Sequence, residues 1–214
     1  AATGPGRVTP RVVLLATRSE GKLRELRPMF AAAGWTVRDL AEAGVAHSPD
    51  EAGLEVFDTF EENARAKARY FWARSGGMAV VAEDSGLEVA VLGGEPGVRS
   101  KRWSGRDDLS GRALDEANNA LLLARLRGAT DRRAQYVCVA VFWDGVREVV
   151  ARGETLGVIG ERRAGGDAGF GYDPYFISAE LGRAFSLVSR EEKAAVSHRG
   201  RAIAQLLLSL AERG

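Results

Sequence analysis

Short apolar runs that are typical of buried strands alternate along this chain with stretches whose apolar residues recur at helical spacing. Residues 12–16, Val-Val-Leu-Leu-Ala, predict a buried strand that opens the fold. Residues 136–143 and 146–151 predict a hairpin across Asp144-Gly145, which is a strong turn signal. Because strands and helices alternate instead of forming separate blocks, the pattern indicates an α/β fold.

Helices are predicted from the spacing of apolar residues and from signals at the helix ends. The first covers residues 21–33 and ends at Gly34, and the second begins near Thr59, which forms a predicted capping box with Glu62. Further helices are expected at residues 115–126 and 191–212, the latter with an apolar face of Ala195, Ile203, Leu206, Leu207 and Leu210. Additional strands are expected at residues 78–82 and 87–91, with loops at 41–58, 92–108 and 165–171.

The chain is long enough for one domain with a sizeable core, and no stretch of linker composition divides it. Residues 11–214 are therefore predicted to form a single domain. Residues 1–10 are small, aperiodic and contain Gly and Pro, so they are predicted to be a loose N-terminal tail.

The charge balance excludes several kinds of partner. The 30 basic and 29 acidic residues give a formal net charge of +1, so there is no global field to bind a nucleic acid or an anionic membrane surface.

No apolar stretch approaches the length of a membrane-spanning helix. The single cysteine, Cys138, lies in an apolar run and is interpreted as a buried small hydrophobe rather than a nucleophile. A reducing, cytoplasmic setting is expected.

The segment between the first strand and the first helix has the composition of a phosphate site: Thr17, Arg18, Ser19, Glu20, Gly21 and Lys22. Backbone N–H groups at a helix N-terminus, together with hydroxyls and a lysine, suit a phosphate chain. The glycine spacing of a Walker A loop is missing. Taken alone, the segment favours the simpler alternative, in which Thr17 or Ser19 only caps the helix.

Two adjacent carboxylates, Glu83 and Asp84, follow a buried apolar run and precede Ser85-Gly86. In an extended chain their side chains point to opposite faces, so one could hold Mg²⁺ while the other supports the site or orients water. An ordinary turn at Ser85-Gly86 explains the same segment equally well.

Two C-terminal segments suit a purine base. Residues 165–174 are rich in glycine, which lets the backbone approach a ligand, and Phe170 or Tyr172 could stack on a base. A structural turn with inward-facing aromatics is the alternative. Lys193 is followed by His198 and Arg199, which offer directional donors to a purine carbonyl oxygen, although a solvated helix face is the commoner explanation of such a run. No role is assigned to His47.

Taken in order, these segments resemble the inosine/xanthosine triphosphate pyrophosphatase family. The likeness is carried by Glu-Asp-Ser-Gly-Leu at 83–87 with Leu-Gly-Gly-Glu-Pro-Gly-Val at 92–98, Gly-Phe-Gly-Tyr-Asp-Pro at 169–174, residues 191–199, and residues 59–68. It covers nearly the whole chain after Pro10, and four motifs in the family's order are far more specific than any one of them.

The resemblance implies a long central mixed β-sheet flanked by helices, two lobes with an active cleft between them, a homodimer and Mg²⁺. It implies hydrolysis of non-standard purine nucleoside triphosphates (ITP, dITP, XTP) to the monophosphate and pyrophosphate. Asp84 would be the metal-linked general base, with Glu55 and Glu83 as further metal carboxylates, and Ser85 would contact substrate. The triphosphate would be held by the segment 17–22 and Lys67, and the purine by Phe170, Gly171, Tyr172, Asp173, Lys193, His198 and Arg199.

The sequence departs from the family pattern at several positions. Ser19 stands where Asn is usual, which shortens a phosphate contact, and Arg18 replaces a frequent Gly. Counting back from Thr59 favours Glu55 as the second metal carboxylate, whereas Glu51-Ala52-Gly53 looks more like the family's Glu-Thr-Gly tripeptide and would need a local insertion.

Further differences affect the cleft wall and the choice of function. Glu83 often appears as Asp in the family, and Arg99 and Trp103 stand where tyrosines are common. A nucleotide pyrophosphatase with another base preference and a non-catalytic nucleotide-binding protein remain as alternatives. Ser19 keeps the second alternative open, and retention of both Glu83 and Asp84 argues against it.

Overall fold

The computed structural model describes residues 11–166 and 168–212 of the chain. Within these residues, six strands form one mixed sheet in the order β2-β1-β3-β4-β5-β6. The strands are β1 (Arg11–Leu15), β2 (Trp35–Asp39), β3 (Val80–Val89), β4 (Arg133–Trp143), β5 (Glu148–Ile159) and β6 (Phe176–Ser178). β1 runs parallel to β2 and β3, and the remaining neighbours are antiparallel. The tail predicted at residues 1–10 lies outside the described residues.

Five α-helices are present in the same part of the chain. They are α1 (Glu20–Ala32), α2 (Phe60–Arg74), α3 (Gly111–Arg125), α4 (Arg190–Val196) and α5 (His198–Ala211). Short 3₁₀ helices cover Pro49–Gly53, Ala90–Leu92, Gly97–Arg102 and Phe185–Leu187. None of the described helices is both long enough and apolar enough to span a bilayer.

Helices cover both faces of the sheet, because alternate strand residues point to opposite sides. Leu15 of β1 and Val81 of β3 belong to the core beneath α1 and α5, whereas Leu14 and Ala82 face α2. A third cluster joins Tyr136, Phe176 and Phe185 to Leu122 and Leu126 at the end of α3. This arrangement confirms the α/β prediction; the division into two lobes stays a prediction.

The structure corrects the two strands predicted at 78–82 and 87–91, which are one continuous strand, β3. Its pairing with β4 is unbroken from Val80 to Val89, so no turn occurs at Ser85-Gly86. A Cβ on Gly86 would collide with the carbonyl oxygen of Gly97. Glycine is therefore needed here for the close approach of the Gly97–Arg102 segment, and not for a turn.

The helix predicted at 191–212 was also wrong, since two helices meet at Ser197. Ser197 has extended backbone angles (φ −74°, ψ 153°), and its Oγ accepts a hydrogen bond from the N–H of Gly200 at 3.0 Å. Ala195 is exposed and does not share the apolar face of α5. Strand β2 was not predicted, and α3 begins four residues earlier than expected, at Gly111.

The starts of α1 and α2 confirm the capping signals. Ser19 Oγ accepts from the N–H of Lys22 at 3.4 Å, and Thr59 Oγ1 accepts from the N–H of Glu62 at 3.2 Å. The predicted capping box is modified, because the Glu62 carboxylate accepts from the Thr59 hydroxyl at 2.7 Å and not from its backbone N–H.

Candidate active site

A cleft of about 1400 Å³ opens between the N-terminus of α1, strand β3, helix α3 and the loop that precedes β6. It brings together all but one of the residues predicted from sequence: Thr17, Arg18, Ser19, Glu20, Gly21, Lys22, Glu55, Lys67, Asp84, Ser85, Phe170, Gly171, Tyr172, Asp173, Lys193, His198 and Arg199. Glu83 is the exception. Segments that are far apart in sequence therefore face one shared space.

Asp84, Glu55 and Lys67 form an acid–base cluster on the α2 side of the sheet. The Lys67 ammonium contacts Glu55 Oε1 at 2.6 Å and Asp84 Oδ1 at 3.2 Å. Asn63 Nδ2 donates to Asp84 Oδ2 at 2.9 Å, so both carboxylate oxygens of Asp84 are held. Asn63 is fully buried; it lies in the motif at residues 59–68, but no role was predicted for it from the sequence.

Burial and the nearby lysines have opposite effects on the pKa values of Asp84 and Glu55. Burial raises the pKa of Asp84 above its ordinary value, even though Lys67 and Lys22 oppose that shift. Burial also works against ionisation of Glu55, but Lys67 and Lys22 outweigh it and lower the pKa of Glu55 to about 2. Asp84 is therefore the carboxylate that accepts a proton more readily, which suits a general base.

Glu83 lies on the opposite face of the sheet from Asp84, as alternation along β3 requires. Lys22 Nζ lies 2.7 Å from Glu83 Oε1, and the Cys138 thiol donates to Glu83 Oε2 at 3.3 Å. Despite burial, Lys22 and Arg199 hold the pKa of Glu83 well below its usual range. This geometry argues against Glu83 as a ligand of an ion that Asp84 and Glu55 share, and it gives Glu83 the role of orienting Lys22.

The geometry favours Glu55 over Glu51 as the partner of Asp84. Glu51 accepts two hydrogen bonds from Arg18, at 2.8 and 3.1 Å, and a third from the N–H of Ser48. Arg18 is therefore engaged within the cleft wall by Glu51 and by the carbonyl of Val45.

Cys138 is fully buried, which confirms its interpretation as a core residue.

Behind the far wall of the cleft lies a buried ion-pair network that centres on Glu25, a residue for which the sequence predicted no role. Lys193 Nζ contacts Glu25 Oε1 at 2.6 Å and Asp173 Oδ2 at 2.7 Å. The Arg199 guanidinium donates to Glu25 Oε2 and, at 2.9 Å, to Ser85 Oγ. A single glutamate on a helix is usually solvated. The role of Glu25 is revealed only by its contacts with Lys193 and Arg199, which lie 168 and 174 residues further along the chain.

Phe170 is the aromatic residue that faces these cations. Its ring centre lies 5.2 Å from Lys193 Nζ and 5.6 Å from Arg199 Cζ. Tyr172 is buried, and its hydroxyl donates to the carbonyl of Ser100 at 2.6 Å. The alternative of Tyr172 as a stacking residue is therefore wrong, because that side chain is fixed inside the protein wall.

His198 is buried in the pocket wall and stacks on Tyr136, with ring centres 4.5 Å apart and planes 11° from parallel. Burial, together with Arg199 and Lys193, holds the pKa of His198 well below its ordinary value, so the imidazole is neutral. Within the described residues, its Nδ1 has no hydrogen-bond partner. Because Nδ1 is itself buried, this edge of the ring does not face the cleft, and its missing hydrogen bond is unusual for a buried polar atom.

The fold and the site define an α/β protein whose deep cleft places buried acid–base clusters opposite an aromatic ring, an arrangement typical of enzymes that bind an anionic, ring-containing ligand. The chain belongs to the Ham1 family, because the profile of that family matches residues 13–208.

Individual relatives support this assignment. The dITP/XTP pyrophosphatase of Mycobacterium tuberculosis is 48% identical over 200 residues, which cover 92% of this chain and 94% of that protein. The solved Staphylococcus aureus Ham1 protein superposes with a TM-score of 0.78 at 34% identity, over 95% of this chain and 100% of that one. The solved nucleoside-triphosphatase / dITP/XTP pyrophosphatase of Mycobacterium abscessus gives 0.66 at 40% identity, over 92% and 98%.

Proposed function

We propose that this protein hydrolyses non-standard purine nucleoside triphosphates, namely dITP, ITP and XTP, to the nucleoside monophosphate and pyrophosphate. The relatives named dITP/XTP pyrophosphatase support the reaction and the substrate class. The observation that carries the proposal is that one cleft holds both the Asp84–Glu55–Lys67 cluster and the pocket of Phe170 and Arg199. A nucleoside triphosphate needs one site for its phosphate chain and another for its base, and this cleft offers both.

Asp84 and Glu55 fit a magnesium ion by their chemistry. Both are hard oxygen donors that meet at the same ammonium group, and Mg²⁺ in enzymes is commonly held by one or two carboxylates together with substrate phosphate oxygens. The described residues contain no group of three or more His, Cys, Asp or Glu side chains that could enclose a metal alone. When bound, the ion would supply charge neutralisation at the phosphate oxygens and acidify a water molecule.

In the proposed mechanism, Asp84 orients a water molecule and accepts its proton as the water attacks the α-phosphorus in line with the leaving group. The bond from the α-phosphorus to the bridging oxygen breaks, and pyrophosphate leaves. Lys22 and Lys67 neutralise the negative charge that develops on the departing oxygens. Ser19 and Thr17, at the N-terminus of α1, add hydroxyl and N–H groups toward the chain of phosphates.

Base selection follows from the donors in the pocket. Arg199 and Lys193 present N–H groups to a 6-keto oxygen, whereas adenine carries an amino group at that position. Guanine carries the same 6-keto oxygen as hypoxanthine, so discrimination against GTP depends on how the pocket receives its 2-amino group. A nucleotide that leaves buried polar groups of the pocket unpaired is strongly disfavoured as a substrate.

The substrate assay that tests the proposal measures pyrophosphate release from ITP, XTP, GTP, ATP and dTTP, with Mg²⁺ and with EDTA. We expect kcat/KM for ITP and XTP to exceed the values for GTP and ATP by at least about 10²-fold, and EDTA to abolish release. Faster release from dTTP would support a different base preference. Nucleotide binding without release would instead support a non-catalytic binding protein.

We also propose a cytoplasmic homodimer. On the outer face of β5, Leu156 and Val158 are 62% and 41% exposed, and Val91 is exposed as well. Adjacent apolar side chains on a sheet face are typical of an interface. Light scattering should give the mass of a dimer, and Leu156→Asp should shift it to that of a monomer. Val146→Asp is the matched control, because Val146 is 92% exposed at the hairpin turn; a wild-type monomer would contradict the proposal.

A further inference from the structure

Helix α3 holds the backbone next to Phe170 at two points. The N–H of Gly171 donates to Asp115 Oδ2 at 2.8 Å, and Asn119 Nδ2 donates to the carbonyl of Gly171 at 2.9 Å. Asp115 and Asn119 are four residues apart, so they lie on the same face of α3, one turn from each other. One residue of the glycine-rich loop is thus bound through both of its backbone polar groups.

We propose that Asp115 and Asn119 are positioning residues that fix Phe170 where it stacks on the base, an inference that rests on the proposed function. Both line the cleft, and Asn119 is buried. They act through Gly171, because the N–H that Asp115 binds belongs to the peptide bond that follows Phe170. Gly171 has a positive φ of 62°, a conformation that a free glycine loop leaves readily unless its polar groups are held.

Asp173 also holds the backbone of Phe170, since its own N–H donates to the Phe170 carbonyl at 3.3 Å, and α3 adds the constraint on the next residue, Gly171. The N–H of Phe170 donates to Asp173 Oδ2 at 2.9 Å, which fixes the preceding side of the residue. Its ring lies against the first turn of α1, since a Cβ on Gly21 would be 2.7 Å from the ring. Gly171, on the side of the loop that faces α3, is held by the Asp115 and Asn119 bonds, so their loss removes one of the constraints that keep the ring beside Lys193 and Arg199.

The inference separates two halves of the substrate, because Phe170 faces the base whereas Lys22 and Lys67 face the phosphates. Removing the α3 bonds should weaken binding of the base and leave binding of pyrophosphate unchanged. A merely structural role for α3 would weaken both together. The two ligands can be measured separately, since inosine monophosphate and pyrophosphate are the proposed products.

The experiment compares Asp115→Ala, Asn119→Ala and Asp115→Asn with the wild type by calorimetry and steady-state kinetics. For each alanine variant we expect a roughly tenfold rise in Kd for inosine monophosphate and in KM for ITP, the loss typical of one hydrogen bond. We expect kcat and the Kd for pyrophosphate with Mg²⁺ to change less than about threefold. Asp115→Asn keeps an acceptor oxygen and should rescue monophosphate binding.

Arg125→Ala is the matched control, because Arg125 lies on the last turn of α3 and pairs with Glu95 at 2.7 Å, away from Gly171. It should leave both dissociation constants unchanged. Unaltered monophosphate binding in both alanine variants, or equal weakening of monophosphate and pyrophosphate, would overturn the inference. Failure of the proposed function would look different: the wild type would bind inosine monophosphate without hydrolysing ITP, and the binding comparison would still decide the role of α3.

Discussion

Asp84→Asn is expected to lower the kcat for pyrophosphate release from ITP by at least about 10³-fold while the protein stays folded. The substitution removes both the proton acceptor and one of the two carboxylates that suit Mg²⁺. The amide keeps an oxygen for Lys67 or Asn63, which lie 3.2 and 2.9 Å from the present carboxylate. Lys67 also keeps its contact with Glu55 at 2.6 Å, so its buried charge is not left without a carboxylate partner.

Stability therefore separates a catalytic role from a structural one. The free energy of unfolding of Asp84→Asn, measured with urea, should stay within about 1 kcal/mol of the wild type. Glu88→Gln is the control, since Glu88 lies on the same face of β3 and its carboxylate accepts from Gln135 at 2.7 Å. It should retain activity. Near-normal turnover by Asp84→Asn would contradict the mechanism.

Local signals predicted much of the fold because the physics behind them is local. Ser19 and Thr59 mark helix starts since their hydroxyls accept backbone N–H groups within three residues. Asp144 closes the predicted hairpin by accepting from the N–H groups of Val146 and Arg147. These interactions need no knowledge of the rest of the chain.

The errors arose where a distant segment decided the local structure. Ser85-Gly86 has the composition of a turn, but β4 pairs across it and Gly97 approaches from a different part of the chain. The short strand β2 has no strong pattern of its own and is held by parallel pairing with β1. Ser197 interrupted a helix whose apolar spacing continued on both sides.

In the site, the types of residue could be predicted from the sequence, but their arrangement in space could not. The motifs identified the residues that line the cleft, because charged groups, glycines and an aromatic were clustered in sequence. Glu25, Asn63 and Asn119 were missed, since nothing in their local sequence distinguishes them from solvated polar residues on a helix, even though Asn63 lies in the motif at 59–68. Their importance follows from contacts with Lys193, Asp84 and Gly171, which only the tertiary structure brings near.

Glu25→Gln should produce the largest loss of stability among single conservative changes in the cleft. Glu25 is the carboxylate shared by two buried cations, Lys193 and Arg199, and no other acid contacts both of them within hydrogen-bond distance in the described part of the chain. Removing one member of a buried ion-pair network costs about 3 kcal/mol or more, because a buried charge is left without compensation. We expect that loss in the free energy of unfolding at pH 7, measured by urea denaturation.

The pH dependence of this loss tests its electrostatic origin. Although burial works against ionisation, Arg199 and Lys193 lower the pKa of Glu25 below its ordinary value of 4.5. A carboxylate whose pKa is depressed in the folded state stabilises the fold above its unfolded pKa, and that contribution disappears as the pH falls through the folded pKa. The difference between the wild type and Glu25→Gln should therefore be full at pH 7 and shrink progressively below about pH 4.5.

Glu20→Gln on the same helix, whose side chain is 88% exposed, should change stability by less than about 0.5 kcal/mol at either pH. A Glu25→Gln loss that is equally small, or that does not depend on pH, would mean that Lys193 and Arg199 are held in the pocket by Asp173, Glu83 and packing, and not by Glu25.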